Sequence, residues 1–166
     1  MPLDAVGRAQ AAELAELLRG RVEAVISSDL LRARESAEIV CETLGVPLLA
    51  LDADLRERGY GVFEGLTRHE CMQKHPEIWA AREHDRNFQP PGGEPRALVL
   101  ERMQRGLLRA VQRLVGRHRE ALVVGHGSAL RMFLELLSEA PVESIGNMHF
   151  REVQHDGSRF SLRTQG

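Results

Sequence analysis

The chain has 166 residues, a length that suits one domain burying roughly 70% of the surface its unfolded form exposes. Its 43% hydrophobic and 28% charged residues are a globular composition rather than a disordered or fibrous one. A net charge of -2 and a pI near 6.4 give no electrostatic reason to expect nucleic acid or an anionic membrane as partner, so any anion site must be local.

Cys41 and Cys71 lack CxxC spacing and each falls inside a predicted helix, so both read as reduced packing residues. No apolar run approaches the roughly 20 residues of a membrane span, and Met1-Pro-Leu-Asp4 has neither the basic start nor the apolar core of a signal peptide. A cytoplasmic protein is expected.

In chain order, Ala5 to Arg19 reads as a helix with Ala11, Leu14, Ala15 and Leu18 on one stripe and Gly20 as its stop. Val22 to Ile26 reads as a strand leading into Ser27-Ser28-Asp29, good N-cap residues for a helix on which Leu30, Ala33, Ala37, Val40 and Leu44 recur at steps of three and four. Gly45 and Pro47 stop that helix. Arg32 lies in its first turn, beside the positive end, an odd place for a cation unless an anion also binds there. Pro47 to Leu55 is a short extended segment. Leu55 to Thr67 carries three glycines in seven residues, which marks a shaped loop.

A helix over about 68–81 follows, then a polar surface excursion from His84 to Pro95 containing Pro90-Pro91-Gly92-Gly93-Glu94. From Pro95 to about His118 the spacing predicts the longest helix, with Leu100, Met103, Leu107, Val111 and Leu114 on one face. Ala121 to Val124 is an apolar strand, and Ala129, Met132, Phe133 and Leu136 after it share a helical face. The chain therefore turns from strand to helix at Gly125-His126-Gly127-Ser128. The glycines allow a tight turn, Ser128 suits an N-cap, and His126 falls where helix N–H groups favour an anion. Two alternating runs, His149 to Gln154 and Arg159 to Thr164, flank Asp156-Gly157 and predict a hairpin. Strands alternating with helices in this way indicate an α/β fold with a largely parallel sheet covered on both faces.

Ser27 to Ala33, Leu55-Arg56-Glu57 with Gly61 to Thr67, Pro90 to Glu94 and Val124 to Gly127 together resemble, in order and spacing, the histidine phosphatase superfamily. The resemblance covers essentially the whole chain. It implies the phosphoglycerate mutase-like fold, a three-layer α/β/α sandwich. It also implies that Arg32 binds phosphate, that His126 is the second active-site histidine, and that Glu57 is the proton donor. Arg58 and Gly127 are taken as further substrate-binding positions. Phosphoryl transfer needs this set, cations for the equatorial oxygens and an acid for the leaving oxygen. No metal and no organic cofactor is expected, and the HExxH zinc pattern fails because Gln73 stands four residues after His69. The expected partner is a small phosphorylated metabolite.

Family members begin with a strand ending in Arg-His-Gly, whose histidine is the nucleophile, and this first central strand has no counterpart here. Either the natural protein carries it upstream, or the chain is a phosphate-binding pseudoenzyme; as given, the chain should be inactive. Loss of a central strand would cost many kcal/mol against a typical total of about 5–15, which favours the upstream start. The residues Glu57-Arg58 and Tyr60-Gly61 look like mutases, whereas Gly61 to Gly65 looks like the phosphatase branch. The expected activity is a phosphomonoester phosphatase, with phosphoglycerate mutase as the alternative.

Overall fold

Three apolar runs become the three strands of one parallel sheet, in a computed structural model that describes residues 2–85, 87–142 and 145–163. β1 (Ala24–Ser28) is central, with β2 (Leu48–Asp52) on one side and β3 (Ala121–Val124) on the other. Every residue of β1 is buried, as expected for a strand covered on both faces. Ser27 pairs with Val124 and Ser28 with Asp52, so β1 ends at Ser28, abreast of the Gly125-His126 turn that follows β3. This register, rather than closeness in sequence, brings the turns after β1 and β3 to the same sheet end.

α1 (Ala5–Leu17) packs on α2 (Leu31–Leu44), and α2 packs on the sheet. Ala15, Val25, Ala37 and Val40 form the centre of that contact, with Val22, Leu44, Leu48, Leu122 and Val124 closing around it. Small residues on both helices let them approach closely, and each buried aliphatic side chain contributes about 1.5–3 kcal/mol. Cys41 packs against this cluster, and Cys71 is buried; neither is in a disulfide.

The remaining helices are α3 (Arg68–Lys74), α4 (Pro76–His84), α5 (Arg96–Leu114) and α6 (Gly127–Ser138). β4 (Val153–His155) and β5 (Phe160–Leu162) form the expected antiparallel hairpin, with Gly157 at φ +99 in its turn. The Phe160 ring meets Phe133 of α6 edge to face at 5.6 Å. Thr164, the expected last residue of that hairpin, lies outside the described residues. No helix among the described residues is long and apolar enough to cross a membrane.

The chain divides into two compact units, Met1–Glu57 with Arg102–Gly166, and Arg58–Glu101. In the second, Tyr60 bridges Gly93, and Gly61, at φ +55, lies so close to the Pro91–Gly93 backbone that a Cβ would sit 2.1 Å from the Pro91 carbonyl oxygen. The Phe63 ring packs edge-on against His75 and Trp79.

Four local expectations are corrected. The single helix over 68–81 is two helices, because Pro76 cannot continue α3 and instead starts α4. Ser27 and Ser28 belong to β1, and the N-cap position of α2 is Leu30, which makes no side-chain cap bond. Ser128 is inside α6, whose N-cap position is His126. Leu136 of α6 is exposed and Leu134 is buried in its place, while the fully buried positions of α5 include Val99, Met103 and Ala110.

Candidate functional site

β1 and β3 each end at the start of a helix, so two helix N-termini face the same end of the sheet, the place where ligands of open α/β sheets collect. Arg32 enters from the first turn of α2 and His126 from the N-cap of α6. They meet although 94 residues apart in sequence: Arg32 Nη2 lies 3.1 Å from His126 Nδ1. A guanidinium has no acceptor, so Arg32 donates and Nδ1 carries the lone pair. The ring proton is then on Nε2, which donates to Ser28 Oγ over 2.9 Å. Ser28 also receives the Leu30 N–H at 3.3 Å and is wholly buried.

His126 is 6% exposed, whereas Arg32 is exposed. Burial, then the Arg32 cation, then the Arg102 cation push the imidazole down to about 4, with Asp29 opposing weakly. The imidazole is therefore neutral at physiological pH in the ligand-free molecule. An anion arriving at Arg32 would offset the contribution of that cation and favour a proton on Nδ1.

Glu57 reaches the same helix start from the other side. Its carboxylate accepts from the Ser128 N–H at 3.2 Å and the Ala129 N–H at 3.0 Å, so a side chain 71 residues upstream supplies the cap that Ser128 was expected to make. Gly127 stands exposed between His126 and these two capped N–H groups. Three sequence-derived positions, Arg32, Glu57 and His126 with its neighbour Gly127, thus converge around the N-terminus of α6.

Arg58 lies in the second unit and is 7% exposed. It donates from Nε to the Glu94 carbonyl at 2.8 Å and from Nη2 to the Phe88 carbonyl at 2.7 Å. Glu94 N–H in turn donates to the Gly59 carbonyl at 2.8 Å, closing the Pro90 to Glu94 loop onto Gly59. Ser28 and Arg102 are the members of this arrangement that sequence reasoning passed over. Two serines ending an apolar strand were the available signal for Ser28; a polar group at a buried strand end needs a partner. Among the described residues no group of three or more His, Cys, Asp or Glu side chains could hold a metal ion.

Comparison with known proteins identifies the family. A family model described as histidine phosphatase superfamily, branch 1, matches residues 1–165. Phosphoglycerate mutase-like protein 4 of Arabidopsis thaliana is 32% identical over 173 aligned residues, covering 99% of this chain and 74% of that protein. A bifunctional protein of Mycobacterium tuberculosis is 34% identical over 131 residues, 79% of this chain; the chain spans only 35% of that relative's length. Among solved structures, mycobacterial glucosyl-3-phosphoglycerate phosphatase in complex with inorganic phosphate superposes with a TM-score of 0.81 at 26% identity. That match covers 98% of this chain and 86% of the other.

Proposed function

The chain belongs to the histidine phosphatase superfamily, and on that premise we propose that it is a phosphomonoester phosphatase for small soluble phosphates, acting through a phosphohistidine whose nucleophilic histidine lies upstream of Pro2. The observation that carries this reading is the Arg32–His126 pair at the sheet end, a cation and a titratable imidazole 3.1 Å apart beside a helix N-terminus. An unpaired sheet edge supports the upstream strand. β1 has a neighbour on each side, whereas β3, only half-buried along its length, has β1 alone among the described residues.

In the proposed reaction Arg32 and a protonated His126 hold the phosphoryl oxygens, with the backbone around Gly127. The upstream imidazole attacks phosphorus; the P–N bond forms as the ester P–O bond breaks, and Glu57 gives its proton to the departing alkoxide. Water then attacks phosphorus, the P–N bond breaks, and the water's proton passes to the Glu57 carboxylate. Apart from the upstream imidazole, these steps use side chains and backbone N–H groups of the chain, with no metal or organic cofactor assigned. Arg58 holds the Pro90 to Glu94 loop within the second unit.

The upstream-extended protein should release phosphate from an aryl phosphate. Isomerisation of 3-phosphoglycerate without net phosphate release would replace the phosphatase reading with a mutase. A second reading, a phosphate-binding module without catalysis, is favoured by one observation: Arg32, Ser28 and His126 are already assembled within this chain. Phosphate binding with no turnover by the extended protein would establish it.

A further inference from the structure

Glu57 lies two residues beyond a short 3-10 turn, Ala53–Leu55, and is followed by glycines at 59 and 61, so it belongs to no helix or strand of its own. The order comes from α5. Arg102 directs its guanidinium at three carbonyls of that backbone: Nη1 donates to the Asp54 carbonyl at 2.9 Å and to the Arg56 carbonyl at 2.7 Å, and Nη2 donates to the Glu57 carbonyl at 3.1 Å. One helical turn further on, Gly106 lets the segment approach: a Cβ there would lie 3.1 Å from Leu55 Cδ2 and 3.3 Å from Asp54 Cβ. Leu55 is wholly buried at this contact. Arg109 pairs with Asp52 at 2.7 Å and with Asp54 at 2.6 Å, and Arg105 pairs with Asp54 at 3.3 Å.

We propose that Arg102 is a positioning residue for Glu57: it holds the main chain of residues 54–57 so that the Glu57 carboxyl group meets the N-terminus of α6. The proposal rests on the reading of Glu57 as the acid. A planar fork with fixed N–H directions can serve three carbonyls at once, whereas an ammonium of the same charge on a flexible stem cannot hold that geometry. Without the fork the Asp54, Arg56 and Glu57 carbonyls turn to water, and the carboxyl group loses its fixed distance to Ser128 and Ala129. Misplacement of a reacting group by about 1 Å can cost a hundredfold in rate.

Arg102→Lys keeps the charge that acts on His126 and removes the fork, so it separates positioning from electrostatics. In the ligand-free protein, the NMR signals of the Ser128 and Ala129 amides should move in Arg102→Lys towards their positions in Glu57→Gln, while those of Val25 and Ile26 in the core stay in place. Gly106→Ala, whose methyl group presses on Leu55, should move the same two amides and serves if the lysine variant does not fold. Signals that remain at parent positions in a folded variant, with Glu57→Gln displaced, overturn the proposal.

In the upstream-extended protein, Arg102→Lys should lower the alkyl-to-aryl phosphate kcat ratio at least about fivefold, with phosphate affinity unchanged and no further drop when combined with Glu57→Gln. An additive drop also overturns the proposal. An inactive parent defeats the functional reading alone, because the amide signals report on Arg102 without turnover.

Discussion

Arg32 and His126 are joined by a hydrogen bond whose direction is fixed, since Nη2 of Arg32 can only donate and Nδ1 of His126 must accept over their 3.1 Å separation. The imidazole is thereby held neutral, down to about 4 from its ordinary 6.5, chiefly by burial and by the Arg32 cation. In the folded chain His126 binds a proton only near pH 4, whereas in the unfolded chain it does so below 6.5. The unfolded state therefore takes up more protons between these values, and stability falls as acid is added from pH 6.5 to 4, levelling below. At about 1.4 kcal/mol per unit the full loss is about 3 kcal/mol. Urea midpoints at pH 7 and pH 5 should differ more in the parent than in His126→Gln. The depressed carboxyls of Asp29, Asp52 and Asp54 titrate below 3.8, outside that interval.

Inorganic phosphate should bind the ligand-free protein and take up a proton as it does so, because a dianion beside Arg32 favours a donor at His126 Nδ1. Calorimetry in two buffers of different ionisation enthalpy measures that uptake. Arg32→Ala should weaken phosphate about 10- to 100-fold, the loss of one charge-assisted hydrogen bond of about 1.5–3 kcal/mol. Equal affinity in the two proteins would place the anion elsewhere.

Glu57→Gln in the upstream-extended protein should slow an alkyl phosphate far more than a nitrophenyl phosphate, by about 10²-fold or more, since the phenolate leaves without a proton. Glu64 is the control. Its Oε1 accepts from the Tyr60 N–H at 2.5 Å inside the second unit, so Glu64→Gln should show no dependence on the leaving group. Equal losses on both esters for Glu57→Gln would leave it a cap of α6 and no more.

Gly61→Ala and Gly65→Ala should differ sharply. Both glycines have positive φ, but nothing lies within 4 Å of a Cβ at Gly65, whereas at Gly61 it would meet the Pro91 oxygen at 2.1 Å and the Gly93 nitrogen at 2.4 Å. Gly65→Ala should cost about 1–2 kcal/mol of left-handed strain, and Gly61→Ala about 3 kcal/mol or more, because backbone on both sides must move. Denaturant unfolding of the two variants makes the comparison.

The elements were largely legible because hydrophobic period and glycine or proline punctuation follow local rules; the strands β1, β2 and β3, the stops at Gly45 and Asp156-Gly157, and the position of Arg32 all came from them. Hydrogen-bond partners did not, since they depend on register and crossing. The sequence makes Ser28 and Ser128 look like caps, but parallel pairing buries Ser28 under His126, and Glu57 arrives from 71 residues away to cap α6 in place of Ser128. Arg102 was invisible for the same reason: its acceptors are carbonyl groups, which every residue has. The break at Pro76, inside the expected helix over 68–81, was readable, because a proline ends one helix and suits the first turn of the next.

The edge of β3 has a consequence for handling the chain. Ala121, Leu122, Val123 and Val124 carry no charge and no proline, and only β1 pairs with them among the described residues. Such an edge is a template for any extended backbone, including that of another copy. Concentrated solutions of the 166-residue chain should therefore scatter light increasingly with time. A lysine at Val123 slows ladder growth only if it tolerates that half-buried face, whereas a short synthetic strand that caps the edge should keep the protein monodisperse.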